Sequence, residues 1–485
     1  MAKQKSLKVN FIMNAILTMS SFIFPLITFP YVSRILMPSG VGKVNFATSV
    51  INYFSMIAQL GIPTYGIRAC ARVRDDREKL TRTAHELLFI NIVMSIISYL
   101  GLFIALLTVP RLQSERLLYI IVSFTIILTT IGMEWIYKAL EQYTYITVRS
   151  LIFKFISVVA MLLLIHSKSD YLLYGAISIF AASASNIFNF INVHKYIGLR
   201  PVGNYNVRQH LKPVMIFFSM SVATTVYTNL DTVMLGFMKN DAEVGYYTAA
   251  VKIKNILVSI VTSLGTVLLP RASYYIQKGE IDQFKFLSKK ALNFVCLLAT
   301  PLVIYFILYA KQGILLLSGK AYGPAVLPMQ LIMFTVLFIG MSNITGIQIL
   351  VPLGYERIVL YSVISGAITD LVINFILIPE LASSGAAIGT LVAEAVVLIV
   401  QYFSVRKQIP DLFQSVKYYK IVIAIILASA GSFWVAYLNL HTFITLLLSA
   451  ILFFAIYGVS LILMKETLVK EIVSQLLEKI MPKKH

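Results

Sequence analysis

Runs of about twenty mainly apolar residues recur along the whole chain, each about as long as a bilayer is thick. Between charged or Pro/Gly-rich breaks there are fourteen: residues 9–32, 41–62, 85–108, 116–137, 147–166, 171–193, 212–237, 245–269, 289–310, 326–350, 357–378, 384–404, 418–438 and 442–463. In lipid, every backbone N–H and C=O must find its partner within the segment, which leaves helices or a closed barrel. Barrel strands alternate apolar and polar residues over about ten positions, whereas Glu86–Leu107 and Ile421–Leu440 are nearly continuously apolar. The pattern therefore predicts an all-α integral membrane protein with about fourteen transmembrane helices. Composition agrees: 58% of the residues are hydrophobic and 13% charged, against about a quarter charged in soluble domains.

The first run is too long for a signal-peptide core and lacks a small-residue cleavage site, so it reads as span 1. Connections between runs are too short to hold a soluble catalytic domain. Cys70 and Cys296 form no spaced motif, and no metal site or cofactor is expected from them. A net charge of +20 would suggest nucleic acid in a soluble chain. Here it reads as the basic loops that orient membrane proteins, and no nucleic-acid partner is expected. If the fourteen spans alternate from a cytoplasmic N-terminus, 30 of the 41 basic residues fall on the cytoplasmic side and 8 outside, while Lys154, Lys252 and Lys254 lie within spans. That asymmetry predicts an even number of spans, with both termini cytoplasmic in the cell membrane.

A weak internal repeat organises the spans. Val41-Gly42-Lys43-Val44-Asn45-Phe46-Ala47 resembles Val244-Gly245-Tyr246-Tyr247-Thr248-Ala249-Ala250 at a shift of 203 residues, and the same shift carries Arg68 onto Arg271. Six spans per copy preserve orientation. The expectation is two pseudo-symmetric six-helix bundles around a central cavity, residues 1–210 and 211–410, with two further helices and a cytoplasmic tail in 411–485.

The segments Phe24-Pro25-Leu26-Ile27-Thr28-Phe29-Pro30-Tyr31-Val32-Ser33-Arg34-Ile35-Leu36, Gly40-Val41-Gly42 and Phe46-Ala47 resemble the opening of Wzx-type polysaccharide flippases. Trp135, Glu141 and Tyr145 resemble the pattern after their fourth span, and Asn374, Pro379, Gly385-Ala386-Ala387-Ile388-Gly389-Thr390 and Glu394 their spans 11 and 12. The resemblance covers nearly the whole chain and implies the multidrug/oligosaccharidyl-lipid/polysaccharide exporter superfamily. It implies translocation of an undecaprenyl-diphosphate-linked oligosaccharide from the inner to the outer leaflet by alternating access, for cell-surface polysaccharide biosynthesis. Such a protein is no enzyme. Its expected partners are the lipid-linked oligosaccharide, membrane lipids and other polysaccharide-assembly proteins.

Carrying a diphosphate through lipid calls for cations inside the membrane, where ionisable residues are costly and so become functional candidates. Lys252, Lys254, Lys43, Arg34 and Lys154 are the candidate substrate contacts, Lys252 foremost. Snorkelling to the headgroups is the competing reading, for Lys154 and Arg34 above all. Asp231, Asp370 and Glu394 are candidates for H⁺ or Na⁺ coupling or for interhelical pairing, with an Asp231–Lys252 ion pair as one arrangement. Asparagines within the spans, among them Asn186, Asn189 and Asn343, read mostly as packing contacts, with contact to sugar hydroxyls as the alternative for some, and Ala181–Ser185 as a close helix contact. Pro25, Pro30, Pro301 and Pro352 are expected to kink or end helices. The basic stretch Arg68–Arg82 could meet anionic headgroups, and Lys465–Lys484 has the spacing of a surface helix.

Three other readings stand beside the flippase: a multidrug cation antiporter of the same superfamily, a peptidoglycan lipid-precursor flippase, and a membrane enzyme. The first favours an acidic cavity. The last needs a catalytic external loop, and the longest here is about sixteen residues, around Lys311–Ala325.

Overall fold

The computed structural model describes residues 7–438, 440–471 and 474, and among these residues every regular element is helical. Among the described residues eleven helices are long and apolar enough to cross a membrane. Two of them are continuous only in name. Leu7–Gln59 is broken at Met37 (φ 61°), and Glu356–Gln408 is broken at Ala382 (φ 48°). Pro38 follows the first break, and a residue preceding proline is pushed out of the helical region. Dividing both helices gives thirteen, and the shorter apolar helix Arg116–Gly132 is the fourteenth.

The spans are therefore 7–36, 38–59, Arg77–Thr108, Arg116–Gly132, Tyr143–Leu164, Lys168–Lys195 and Arg208–Met238, numbered 1 to 7. Spans 8 to 14 are Asp241–Lys278, Ile281–Leu308, Lys320–Leu350, 356–381, 383–408, Tyr418–Tyr437 and Thr442–Leu463. The protein is a multi-pass membrane protein, and each expected span overlaps an observed helix, although spans 3 and 9 start eight residues early and span 8 ends nine residues late. Span 4 stops five residues early because Met133 adopts a left-handed conformation (φ 40°), after which Glu134–Ala139 forms a separate short helix. The expected loop at Lys311–Ala325 is helical instead: Ala310–Ser318 is an α-helix and Lys320–Ala325 a 3₁₀ turn. Most of the surface helix expected at Lys465–Lys484 lies outside the described residues.

The chain forms two compact units, Met1–Gly245 and Tyr246–His485. In the first, spans 1 and 5 run parallel, and their contacts keep a nearly constant sequence offset. Thr147 Oγ1 donates to the Met13 carbonyl at 2.9 Å, Lys154 to Ser20 Oγ at 2.8 Å, and Tyr31 to the Ile165 carbonyl at 2.8 Å. The shift of 203 residues carries the break at Met37–Pro38 onto Asn240–Asp241, where span 8 starts. In the second unit, spans 13 and 14 dock on span 9 through buried tyrosines. Tyr305 donates to the Leu446 carbonyl (2.8 Å), Tyr309 to that of Ser432 (2.7 Å), and Tyr457 to that of Leu297 (2.9 Å).

The family-like segments are packing devices. A Cβ on Gly389 would lie 2.2 Å from Asn374 Oδ1, and one on Gly385 2.6 Å from the Leu377 carbonyl oxygen, so these glycines make room for a polar side chain and for the backbone of span 11 against span 12. Phe46 fills the space beside Gly236 and meets Phe237 edge-on at 5.2 Å.

Candidate functional site

Each unit buries its own polar seam. In the first unit Lys43, on span 2, forms an ion pair with Glu115 and lies over the Tyr171 ring at 4.5 Å, while Tyr171 donates to the other Glu115 oxygen at 2.8 Å. Nearby, Arg111 donates to the Gly236 carbonyl at 2.8 Å and pairs with Asp241. Lys43 is thus held by a carboxylate. Arg34 is exposed and donates to the Pro30 carbonyl one turn back.

Lys154 differs. It is half-buried in span 5, and its ammonium donates to Ser20 Oγ at 2.8 Å and Ser21 Oγ at 3.0 Å on span 1. Among the described residues no carboxylate lies within ion-pair distance of it. Neutral hydroxyls orient the cation without neutralising it. One and a half turns earlier on the same helix sits Arg149, 6% exposed, whose Nη2 donates to Glu134 Oε2 at 3.2 Å. Sequence reasoning singled out Lys154 in this span and passed over Arg149. Its place close to the start of an apolar run is where loop cations also fall, so only packing reveals its burial.

A second group absent from the sequence-based candidates joins span 3 to the start of span 7. Buried Glu86 accepts from the backbone N–H of Asn206 (2.6 Å) and from Gln209 Nε2 (3.0 Å), and it contacts His210 Nε2 (2.7 Å). The other His210 nitrogen meets the Tyr65 hydroxyl at 2.8 Å. The signal available was a glutamate opening an apolar run; its histidine partner lies 124 residues further on.

Asp231 is buried on span 7 in the first unit, and Lys252 and Lys254 are half-buried on span 8 in the second. In the second unit Asp370 (1% exposed) and Asn374 (0%) face Gly389, and Glu394 (6%) follows Thr390 by one turn. Thr390 shares a hydrogen bond with Tyr247 at 2.9 Å. Thr345 donates to Gln401 (2.6 Å), which donates to Ser362 (3.0 Å), so spans 10, 11 and 12 form one polar core. Among the described residues no group of three or more His, Cys, Asp or Glu could hold a metal ion.

Among the described residues, fourteen apolar helices carrying cations and buried carboxylates fit an all-helical membrane transporter. Residues 7–276 match the family profile described as polysaccharide biosynthesis protein, more than half the chain, and the protein belongs to that family. A protein of Escherichia coli (strain K12) named "Putative O-antigen transporter" is 26% identical over 405 residues, covering 83% of this chain and 97% of that one. Its namesake in Shigella dysenteriae is 23% identical over 82% of this chain and all of its own length. Among solved structures, the inward closed conformation of the lipid II flippase MurJ superposes with a TM-score of 0.71 at 14% identity, covering 93% of this chain and 98% of that one. An inward-facing multidrug resistance MATE family transporter of the MOP superfamily gives 0.63 at 14% identity, covering 84% and 99%. At such identities these two structures establish the fold.

Proposed function

We propose that this protein is a flippase that moves an undecaprenyl-diphosphate-linked oligosaccharide repeat unit from the inner to the outer leaflet of the cell membrane by alternating access. It serves cell-surface polysaccharide biosynthesis as a transporter and not as an enzyme. Family membership and the naming of its relatives as O-antigen transporters support the class of cargo. The observation that carries the reading at the level of residues is Lys154. An intramembrane cation oriented by Ser20 and Ser21, with no carboxylate within ion-pair distance among the described residues, fits an anionic group carried on the cargo. A carrier of cationic drugs would repel its cargo there. Lys252 and Lys254, half-buried cations of span 8, are further diphosphate contacts in this reading, with Lys43 and Arg34 in accessory positions.

Coupling belongs to the same proposal. The buried carboxylates of Asp370, beside Asn374 and Gly389, and of Glu394, one turn after Thr390, are suited to take up H⁺ or Na⁺ during the cycle, as is that of Asp231. Both termini face the cytoplasm in this reading. The test is a deletion strain. Lipid-linked repeat units accumulating on the cytoplasmic leaflet support the proposal, whereas arrest of cell-wall synthesis with normal surface glycan would replace it by a peptidoglycan-precursor flippase.

A further inference from the structure

The start of span 5 and Phe188 of span 6 flank a cavity of about 520 Å³ whose two walls differ in chemistry. The polar wall holds Arg149, Thr144 and Glu141; the apolar wall holds Ile152, Phe153 and Phe188. Arg149 is 6% exposed, yet among the described residues its Nε and Nη1 groups have no hydrogen-bond acceptor, and the buried Thr144 hydroxyl oxygen has no partner either. Native interiors seldom leave such donors unmet.

The nearby carboxylates are already engaged. Glu134 is shared between Lys138 at 2.9 Å and the remaining Arg149 nitrogen at 3.2 Å. Glu141 accepts from Arg74 at 2.9 Å and from Asn10 at 3.5 Å. Its left-handed conformation (φ 56°) ends the short helix, and the Gln142 N–H returns to the Tyr137 carbonyl at 2.8 Å. Span 5 then starts beside the cavity with no side-chain cap at Gln142. The first-turn N–H groups of a helix lack internal acceptors and form its positive end. Local charge is therefore positive: Arg74, Lys138 and Arg149 face two carboxylates that are both engaged.

The apolar wall opens outward, with Ile152 52% and Phe188 50% exposed. In a membrane-spanning helix such residues face hydrocarbon. A ligand that fits both walls has an oxyanion rich in acceptors at one end and a hydrocarbon chain at the other. Phosphate suits this set better than a carboxylate, because the Arg149 guanidinium, the Thr144 hydroxyl and the first-turn N–H groups of span 5 together offer more donors than two oxygens readily accept.

We propose that this pocket binds the phosphate headgroup of a membrane lipid, with Arg149, Thr144 and the first turn of span 5 holding the phosphate and one hydrocarbon chain lying across Ile152 and Phe188. Binding of a lipid phosphate here does not rest on the transport role assigned above. Two sources share this chemistry, an anionic phospholipid and a polyprenyl phosphate.

Native mass spectrometry of the full-length, delipidated protein separates them, with phosphatidylglycerol, undecaprenyl phosphate, inorganic phosphate and palmitate as probes. A single adduct with either lipid phosphate is expected, and the lipid that binds more tightly names the source. Arg149→Gln should reduce its occupancy about tenfold or more, and Thr144→Val less. Ile152→Trp, on the half-exposed apolar wall, should expel the lipid while leaving the folded core untouched, and so decides the matter if Arg149→Gln fails to fold. The proposal is overturned if inorganic phosphate or palmitate binds as well as the lipid phosphates. It is equally overturned if lipid adducts persist undiminished in Ile152→Trp, or in a folded Arg149→Gln.

Discussion

Gly42 and Gly245 press reciprocally into the first turns of each other's helices. A Cβ on Gly42 would lie 1.6 Å from the Asp241 carbonyl oxygen, and one on Gly245 would lie 2.1 Å from that of Pro38. Each glycine stands four residues after the carbonyl its counterpart touches, and the two are related by the 203-residue repeat. The repeat is thus visible as a symmetric crossing of the first turns of spans 2 and 8. Gly42→Ala and Gly245→Ala should each lower stability by about 1–3 kcal/mol through overpacking. Gly458→Ala, where a Cβ meets nothing within 4 Å, should leave it unchanged. Thermal unfolding in detergent reads the difference.

Lys154 offers a sharper functional test than the paired cations. Lys154→Gln keeps the hydrogen bonds to Ser20 and Ser21 within reach but removes the charge. Surface glycan export should fall about tenfold, or 1.4 kcal/mol, at equal protein level. Lys154→Arg should restore part of it. Export that is unchanged in Lys154→Gln would remove this residue from the transport path.

Glu86 ties the start of span 7 to span 3. Glu86→Ala strands the donors of Asn206, Gln209 and His210, and burying a donor without an acceptor costs about 1–3 kcal/mol. The variant should unfold at a markedly lower temperature, and hydrogen exchange should quicken first at residues 206–210.

Asp76 caps span 3 by accepting from the N–H groups of Lys79 and Glu78, each at 3.0 Å. The Lys79 hydrogen bond is the main cause holding its carboxyl below the ordinary aspartate range. A carboxyl depressed in the folded state stabilises above its unfolded value of about 3.9 and loses that contribution as pH falls through its folded value. Protection of the Glu78 and Lys79 amides should therefore be greater in the wild type than in Asp76→Ala at neutral pH. The two should converge in acid below the ordinary range.

Spans 13 and 14 hang on span 9 by three tyrosine hydroxyls. Tyr305→Phe, Tyr309→Phe and Tyr457→Phe should each cost about 0.6 kcal/mol, the usual worth of a hydrogen bond between membrane helices. If these spans are an accessory to transport, the triple variant keeps exporting glycan while its unfolding midpoint drops. Loss of export at normal protein level would assign them a part in the cycle.

The sequence by itself determined the number and place of the spans, because the demand that each segment satisfy its own backbone in lipid is local and shows in every run of twenty residues. It also carried the repeat, since Gly42 and Gly245 lie at a shift that sequence comparison can find. Helix ends were less legible: Met133 ends span 4 through its backbone conformation, and no residue type announces that. Partnership was illegible. Lys43 and Lys154 look alike in sequence, both lysines in apolar runs. One meets Glu115, 72 residues away, and the other meets serines 134 and 133 residues away. Arg149 likewise passes for a loop cation until span 5 is packed beside span 1 and Glu134. Whether an intramembrane charge is neutralised, merely oriented or left with open donors depends on groups brought together across the bundle. Tertiary structure alone decides that, because hydropathy is a property of one segment and charge pairing is a property of two.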